Sequence, residues 1–393
     1  MKTVNILFLL AGWFFFTGCK KEAFEGMILA LPSPQPFNQN HSKANDLQAI
    51  LDEFTAKGLP GAVVAIRDKE GVWEGTSGLA KIETGTRLRP GFVHAGGSIT
   101  KIYTAAAIMK LQELNKLQLD KAITNYLPAN VSTRITRADS ITVRMLLNHT
   151  SGIRDYIDNT TFRMRWFNNL AQGWTAEEAL SYAYDQPLLF RLGSGFSYSN
   201  NNYMLLSLII TQVTGQEEAA WMKEHIFDPL QLSRTYYKIQ PGYLEGLSMP
   251  NYYLDRYGDG RLQNVTLPTK VEIYSELGDG GLVATAIDFV HFMDMLVNGQ
   301  IISSASYNEM KKAYFNDYGL GIDIYKFQNK PQYGHSGAVF GGASLLLYFE
   351  EQETVVFIAS NTDGALIGGK TLMLYHSMKN KIGDYIASHN KPR

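Results

Sequence analysis

The sequence predicts an α/β (α+β) protein: an antiparallel sheet built from both chain ends, flanked by helices and interrupted by an inserted, mostly helical lobe. Three observations predict it. Strand-like runs cluster near both ends of the 393 residues and are scarce between them. Two pairs of runs are joined by short polar turns, the pattern of hairpins. The stretch 120–264 reads as helices, turns and long polar loops. The α/β lobe then comprises about 45–119 and 265–393, with 120–264 as the insert.

The elements follow in order. Leu47, Ile50, Leu51 and Phe54 recur at helical spacing within Asn45–Lys57. Gly61–Arg67 (GAVVAIR) and Val72–Ser77 form a strand pair around Asp68-Lys69-Glu70-Gly71. A helix opens at Ser98 and runs to about Leu117. It is apolar nearly all round (Ile102, Ala105, Ala106, Ala107, Ile108, Met109, Leu111, Leu114), which marks it as buried. After Leu277 a glycine-rich turn leads into a helix with Thr285 at its N-cap and Gly299 past its end. Strands return at Tyr318–Tyr325, Gln332–Gly337, Ala343–Phe349 and Thr354–Ser360, the last two joined by Glu350-Glu351-Gln352-Glu353. A final helix covers about Gly369–Ser388. No internal repeat is present.

The N-terminus reads as an address. Lys2 precedes an apolar run, Ile6–Phe16, then Thr17-Gly18-Cys19. The run is shorter than the roughly 20 residues a membrane span needs and fits the core of an export signal. Residues 1–19 resemble a bacterial lipoprotein signal with its lipobox, which implies cleavage before Cys19 and a lipid on its sulfur. Phe16 stands where such boxes usually carry Leu, and a conventional cleaved signal is the plainer alternative. Residues 20–44, with Pro32, Pro34 and Pro36, read as a flexible tether. Cys19 is the only cysteine, so no internal disulfide can form. The expected location is outside the cytoplasm, in a bacterial periplasm or at the cell surface, with a membrane as partner through the lipid. A net charge of −1 and the absence of a basic, aromatic-interleaved stripe exclude a nucleic-acid partner.

Ser98 and Lys101 lie in the stretch GGSITKIYTAAA. Residues at i and i+3 share a helix face. Burial lowers a lysine's pKa, and a neutral amine beside a hydroxyl can take its proton. Free backbone N–H groups at the helix start could hold an oxyanion. The motif alone is weak, because S-x-x-K recurs at Ser388–Lys391 and Ser98 could be a simple N-cap. Two further motifs stand downstream: Tyr198-Ser199-Asn200 before an apolar helix, and His335-Ser336-Gly337 on a late strand. Each also has a plain reading. Tyr198 could be an aromatic anchor, Asn200 a cap, and His335 a polar residue on an exposed strand. Y-x-N and H-x-G recur at Tyr314–Asn316 and His94–Gly96.

The ordered set SITK, YSN and HSG resembles the three motifs of the serine β-lactamases and penicillin-binding DD-peptidases. The closer likeness is to the class C β-lactamase and DD-carboxypeptidase branch. Leu146–Ile153 (LLNHTSGI) and Gly278–Gly299 fit the same branch, and the likeness runs from about Asn45 to the C-terminus. It implies a β-lactamase/transpeptidase-like fold and an acyl-serine mechanism. Ser98 would be acylated, Lys101 and Tyr198 would share the proton transfers, and Asn200 would hold the substrate's amide. His335 stands where many relatives carry Lys and would tune the Tyr198 and Ser98 hydroxyls. The N–H groups of Ser98 and Ala338 would form the oxyanion hole, beside Ser336 and Gly337. Ala338 departs from the pattern, because DD-peptidases often place there a hydroxyl that holds a terminal carboxylate.

Other features are read as structural. There is no G-x-S-x-G elbow. His149 in LLNHTSGI is taken as a structural residue beside the cleft. Gly278–Gly281 lacks the ending of a phosphate loop, and Tyr257-Gly258-Asp259-Gly260 lacks the ligands of a calcium loop. Histidines are scattered, so neither metal nor cofactor is expected. The leading expectation is an exported serine hydrolase acting on peptide, amide or ester bonds, with D-Ala-D-Ala carboxypeptidase activity first. Class C-like β-lactamase or esterase activity is the alternative within the family. A non-catalytic sensor or binding lipoprotein is the alternative outside it. The expected ligands are cell-wall peptides, β-lactams or esters.

Overall fold

A computed structural model describes residues 37–238, 241–362 and 369–389. The signal segment, Cys19 and most of the tether lie outside the described residues.

The sheet has seven antiparallel strands. Their spatial order is Thr86–Arg87, Gly71–Lys81, Gly61–Asp68, Thr354–Ser360, Gly342–Phe349, Lys330–Val339 and Asp323–Phe327. The two chain ends meet at its centre, where Ala62 pairs with Ser360 and Arg67 with Val355. This is the mixed architecture that the sequence predicts.

GAVVAIR is apolar at successive positions because the sheet is covered on both faces. Ala62, Val64 and Ile66 turn to one face, where Leu47, Leu51 and Phe54 of helix Ala44–Ala56 and Met378, Ile382 and Ile386 of helix Lys370–Ser388 cover them. Val63 and Ala65 turn to the other face. There helix Ala286–Val297 packs, with Phe289 stacked on Phe357 at 4.4 Å between ring centroids. Removing an aliphatic side chain as large as Ile66 from such a layer costs about 2–5 kcal/mol.

Boundaries differ from expectation in instructive places. The strand expected over Tyr318–Tyr325 begins only at Asp323, and Tyr318 is left in the preceding loop. The HSG strand is longer than expected, Lys330–Val339. Thr285 caps its helix as predicted, its hydroxyl accepting from the Asp288 N–H. Ser98 does not cap anything. It lies in a short 3-10 turn, Gly97–Ile99, ahead of helix Thr100–Glu113, and neither element has a side-chain cap. Among residues 120–264 lie short helices, three short strands (Thr235–Tyr236, Tyr253–Asp255, Leu262–Asn264) and one long helix, Asn200–Thr214, in which Asn200 is the first residue and caps nothing.

Candidate active site

The 3-10 turn is pressed against the end of the HSG strand. Gly97 has φ +49°, and a Cβ there would sit 2.6 Å from the Ala338 carbonyl oxygen and 2.8 Å from its nitrogen. A Cβ on Gly337 would overlap the Gly96 carbonyl oxygen. Both glycines are therefore required by close backbone approach. Ser344 on the neighbouring strand fixes the turn, its hydroxyl donating to the Gly96 carbonyl at 3.1 Å. The result places the Ser98 backbone beside that of Ala338, which is exposed.

Lys101 is completely buried one turn along. Its Nζ lies 3.0 Å from Ser98 Oγ, 2.8 Å from Asn200 Oδ1 and 2.8 Å from the Asp279 carbonyl. Asn200 is oriented by its other end, because its backbone N–H and Nδ2 both donate to Asp155 Oδ2. Its Oδ1 and the Asp279 carbonyl can only accept. When Lys101 is neutral, its two protons must therefore go to them, and its lone pair faces Ser98. Burial lowers the lysine's pKa to about 8, against the opposing charges of Asp279, Glu276 and Asp155. A buried amine that titrates near neutrality is suited to general-base work.

Tyr198 flanks the pair. Burial, against the neighbouring Ser98 hydroxyl, holds its phenol well above its ordinary pKa, so it is protonated. Lys101 Nζ lies 4.9 Å from the ring centroid. Ser98, Lys101, Tyr198 and Asn200 thus meet in one cluster. This arrangement can strip a proton from Ser98 and hold another for a leaving group.

His335 is close but differently connected. Its Nδ1 donates to the Ser336 carbonyl at 2.6 Å, so its Nε2 accepts from the Tyr318 hydroxyl at 3.1 Å. Both nitrogens are occupied, and neither bonds Ser98 or Tyr198. Burial and the Lys101 charge depress its pKa to about 3, so it is neutral. The Ser336 side chain lies beside the Tyr325 hydroxyl. Asn200 has both amide ends committed within the protein, rather than open towards a substrate amide.

Sequence reasoning missed three contributors: Tyr318, Asp155 and the carbonyl of Asp279. Asp155 lies in the run that follows LLNHTSGI, and Asp279 opens the expected glycine-rich turn. Their positions were visible, but nothing local pointed them at Lys101. Among the described residues, no group of three or more His, Cys, Asp or Glu is arranged to hold a metal.

Fold and cluster together define a serine hydrolase. The chain belongs to the beta-lactamase family, whose model matches residues 47–370. It is 25% identical over 327 residues to penicillin-binding protein 4 of Amycolatopsis lactamdurans, covering 77% of this chain and 81% of that one. Among solved structures it resembles a D-stereospecific amidohydrolase from Streptomyces sp. (TM-score 0.70, 25% identity, 85% of this chain and 98% of that one). It also resembles the octameric penicillin-binding protein homologue of Pyrococcus abyssi (TM-score 0.73, 25% identity, 88% and 79%). The protein is thus a penicillin-binding-protein-like and amidohydrolase-like member of the family.

Proposed function

We propose that the protein is an exported acyl-serine hydrolase that cleaves amide bonds in D-configured peptides or amino-acid amides. The observation that carries this reading is Lys101 Nζ, held 3.0 Å from Ser98 Oγ by two groups that can only accept. Lys101 takes the Ser98 proton as Oγ attacks the carbonyl carbon. The N–H groups of Ser98 and Ala338 hold the oxyanion. Tyr198 gives its proton to the leaving nitrogen as the C–N bond breaks, and the Lys101 ammonium replaces that proton. Water then attacks the acyl carbon with the same pair as base. The C–Oγ bond breaks, the pair returns the proton it took from water to Ser98 Oγ, and the acid departs.

Two substrate classes divide on one point. A D-Ala-D-Ala carboxypeptidase must read a terminal carboxylate. Here His335 is neutral, the Ser336 side chain lies beside the Tyr325 hydroxyl, and Ala338 has no hydroxyl. Those features favour an amidase-like substrate without a free carboxylate. A D-Ala-D-Ala peptide and its C-terminal carboxamide, compared by kcat/KM, separate the two. The carboxamide is expected to be the better substrate.

The first test is intact-protein mass after exposure to benzylpenicillin. Wild type should gain a stable adduct and Ser98→Ala should not. Consumption of penicillin without an adduct would make the protein a β-lactamase. If wild type stays inert to this probe and to an activated ester, the non-catalytic reading replaces ours. Anchoring at Cys19 is tested by labelling with a palmitate analogue. Equal labelling of wild type and Cys19→Ala would refute it.

A further inference from the structure

His149, in LLNHTSGI, has no partner among the reacting groups, yet it brackets Tyr198. Its backbone carbonyl accepts from the Ser197 N–H at 3.1 Å. Its ring Nδ1 accepts from the Ser199 N–H at 3.2 Å. These are the residues on either side of Tyr198. The ring itself packs on Tyr198, with centroids 4.4 Å apart.

The tautomer follows from the donors. Asn202 Oδ1 accepts from Ser151, so its Nδ2 faces His149 Nδ1 at 3.1 Å and donates. With two donors aimed at Nδ1, the ring proton sits on Nε2. That N–H is buried and has no partner. His149 also holds φ +59°, a left-handed conformation that few non-glycine residues adopt, Asn, Asp and His being the commonest of them. An orphaned donor and a left-handed backbone at one residue are both costs. Both are explained if the geometry exists to set the Tyr198 phenol.

We propose that His149 is a positioning residue that holds Tyr198 in place to protonate the leaving nitrogen. The proposal rests on the role given to Tyr198 above. It concerns an uncharged ring, because burial keeps His149 well below its ordinary pKa.

The test uses leaving groups. An amide nitrogen must be protonated to leave, whereas p-nitrophenolate needs no proton. His149→Phe keeps a ring but removes the Nδ1 acceptor. His149→Asn keeps an acceptor and tolerates positive φ. On D-alanine p-nitroanilide, His149→Phe should lower kcat about 100-fold with KM within about 3-fold, the size expected from misplacing one catalytic group. On D-alanine p-nitrophenyl ester the loss should stay under about 5-fold, and His149→Asn should recover most of the anilide rate. Benzylpenicillin acylation, followed by intact mass against time, gives the same reading on a ring amide. In a Tyr198→Phe background, His149→Phe should add almost nothing, as expected for residues acting as a unit.

Equal losses on anilide and ester, or an undiminished loss in the Tyr198→Phe background, would show a merely structural histidine and overturn the proposal. Should His149→Phe fail to fold, judged by thermal melting, His149→Leu, which also lacks the acceptor, carries the same comparison. If Tyr198→Phe alone leaves anilide and penicillin rates unchanged, the role of Tyr198 fails first and the inference falls with it.

Discussion

On the helical wall of the site, Asn200 and the Asp279 carbonyl both accept from Lys101, and the lysine's remaining direction points at Ser98. On the strand wall, the ring nitrogens of His335 are turned to Tyr318 and to backbone, the Ser336 side chain lies beside Tyr325, and the Ala338 side chain has no polar group to offer. The first wall is organised for proton transfer. The second is organised for its own rigidity and leaves little charge for a substrate to meet. The difference teaches that reaction type and substrate choice are written on separate surfaces of one cleft.

The largest effects should come from the helical wall. Ser98→Ala and Lys101→Met should each lower acylation by roughly 10³-fold or more, and the double variant should be little worse than either. Lys101→Arg should be as inactive as Lys101→Met, because a guanidinium does not become neutral in a protein. Measurable activity in Lys101→Arg would mean that Ser98 has another base.

The joint between the walls comes next. In Gly337→Ala the new methyl would overlap the Gly96 carbonyl, so the nucleophile turn must move. Overpacking of this kind costs about 1–3 kcal/mol. A lower melting temperature and a slower acylation rate are both expected. Loss of activity without loss of stability would show that the turn gives way easily, and that only its position matters.

The strand wall should matter less to the chemistry. His335→Ala removes a side chain that hydrogen-bonds Tyr318 and packs beside the Tyr198 ring at 6.1 Å between centroids, but bonds neither Ser98 nor Tyr198. Its cost in acylation should stay below about 10-fold, the scale of a displaced supporting contact. A loss matching that of Lys101→Met would erase the contrast and give His335 the direct tuning role that its motif implies.

This contrast also marks what the sequence made legible. The Ser98–Lys101 spacing, the apolar helix behind it and the runs at both chain ends are local patterns, and local patterns predicted the sheet, the buried lysine and the cluster with Tyr198. The connections of His335 were not legible. Its motif suggested Tyr198, but the strand meant to contain Tyr318 starts at Asp323, which frees Tyr318 to reach back to the imidazole. Nor could spacing show that Asn200 spends its amide on Asp155 and Lys101. Those contacts join residues 45 and 99 positions apart, and only the closed fold brings them together.

The smallest effect tests the electrostatics behind the contrast. Lys101 must be neutral to act, so kcat/KM should rise with pH and level off above about 8. Asp155 helps to hold that value up, and its own pKa, raised by burial to about 6, keeps it ionised where Lys101 titrates. Asp155→Asn removes this negative charge. The lysine's charged form is then less favoured, its pKa falls, and the rising limb should move to lower pH. Its position is the readout rather than its height, because an amide oxygen can serve Ile157 or Asn200 but not both as the carboxylate does. The matching substitution on the strand side is Asp323→Asn, at a carboxylate that meets Tyr325 rather than Lys101. It should leave the limb in place. If both variants shift the limb equally, the field at Lys101 is set by the whole cleft, and the two walls are electrostatically one. If Asp155→Asn shifts it upward or not at all, the limb belongs to a group other than Lys101.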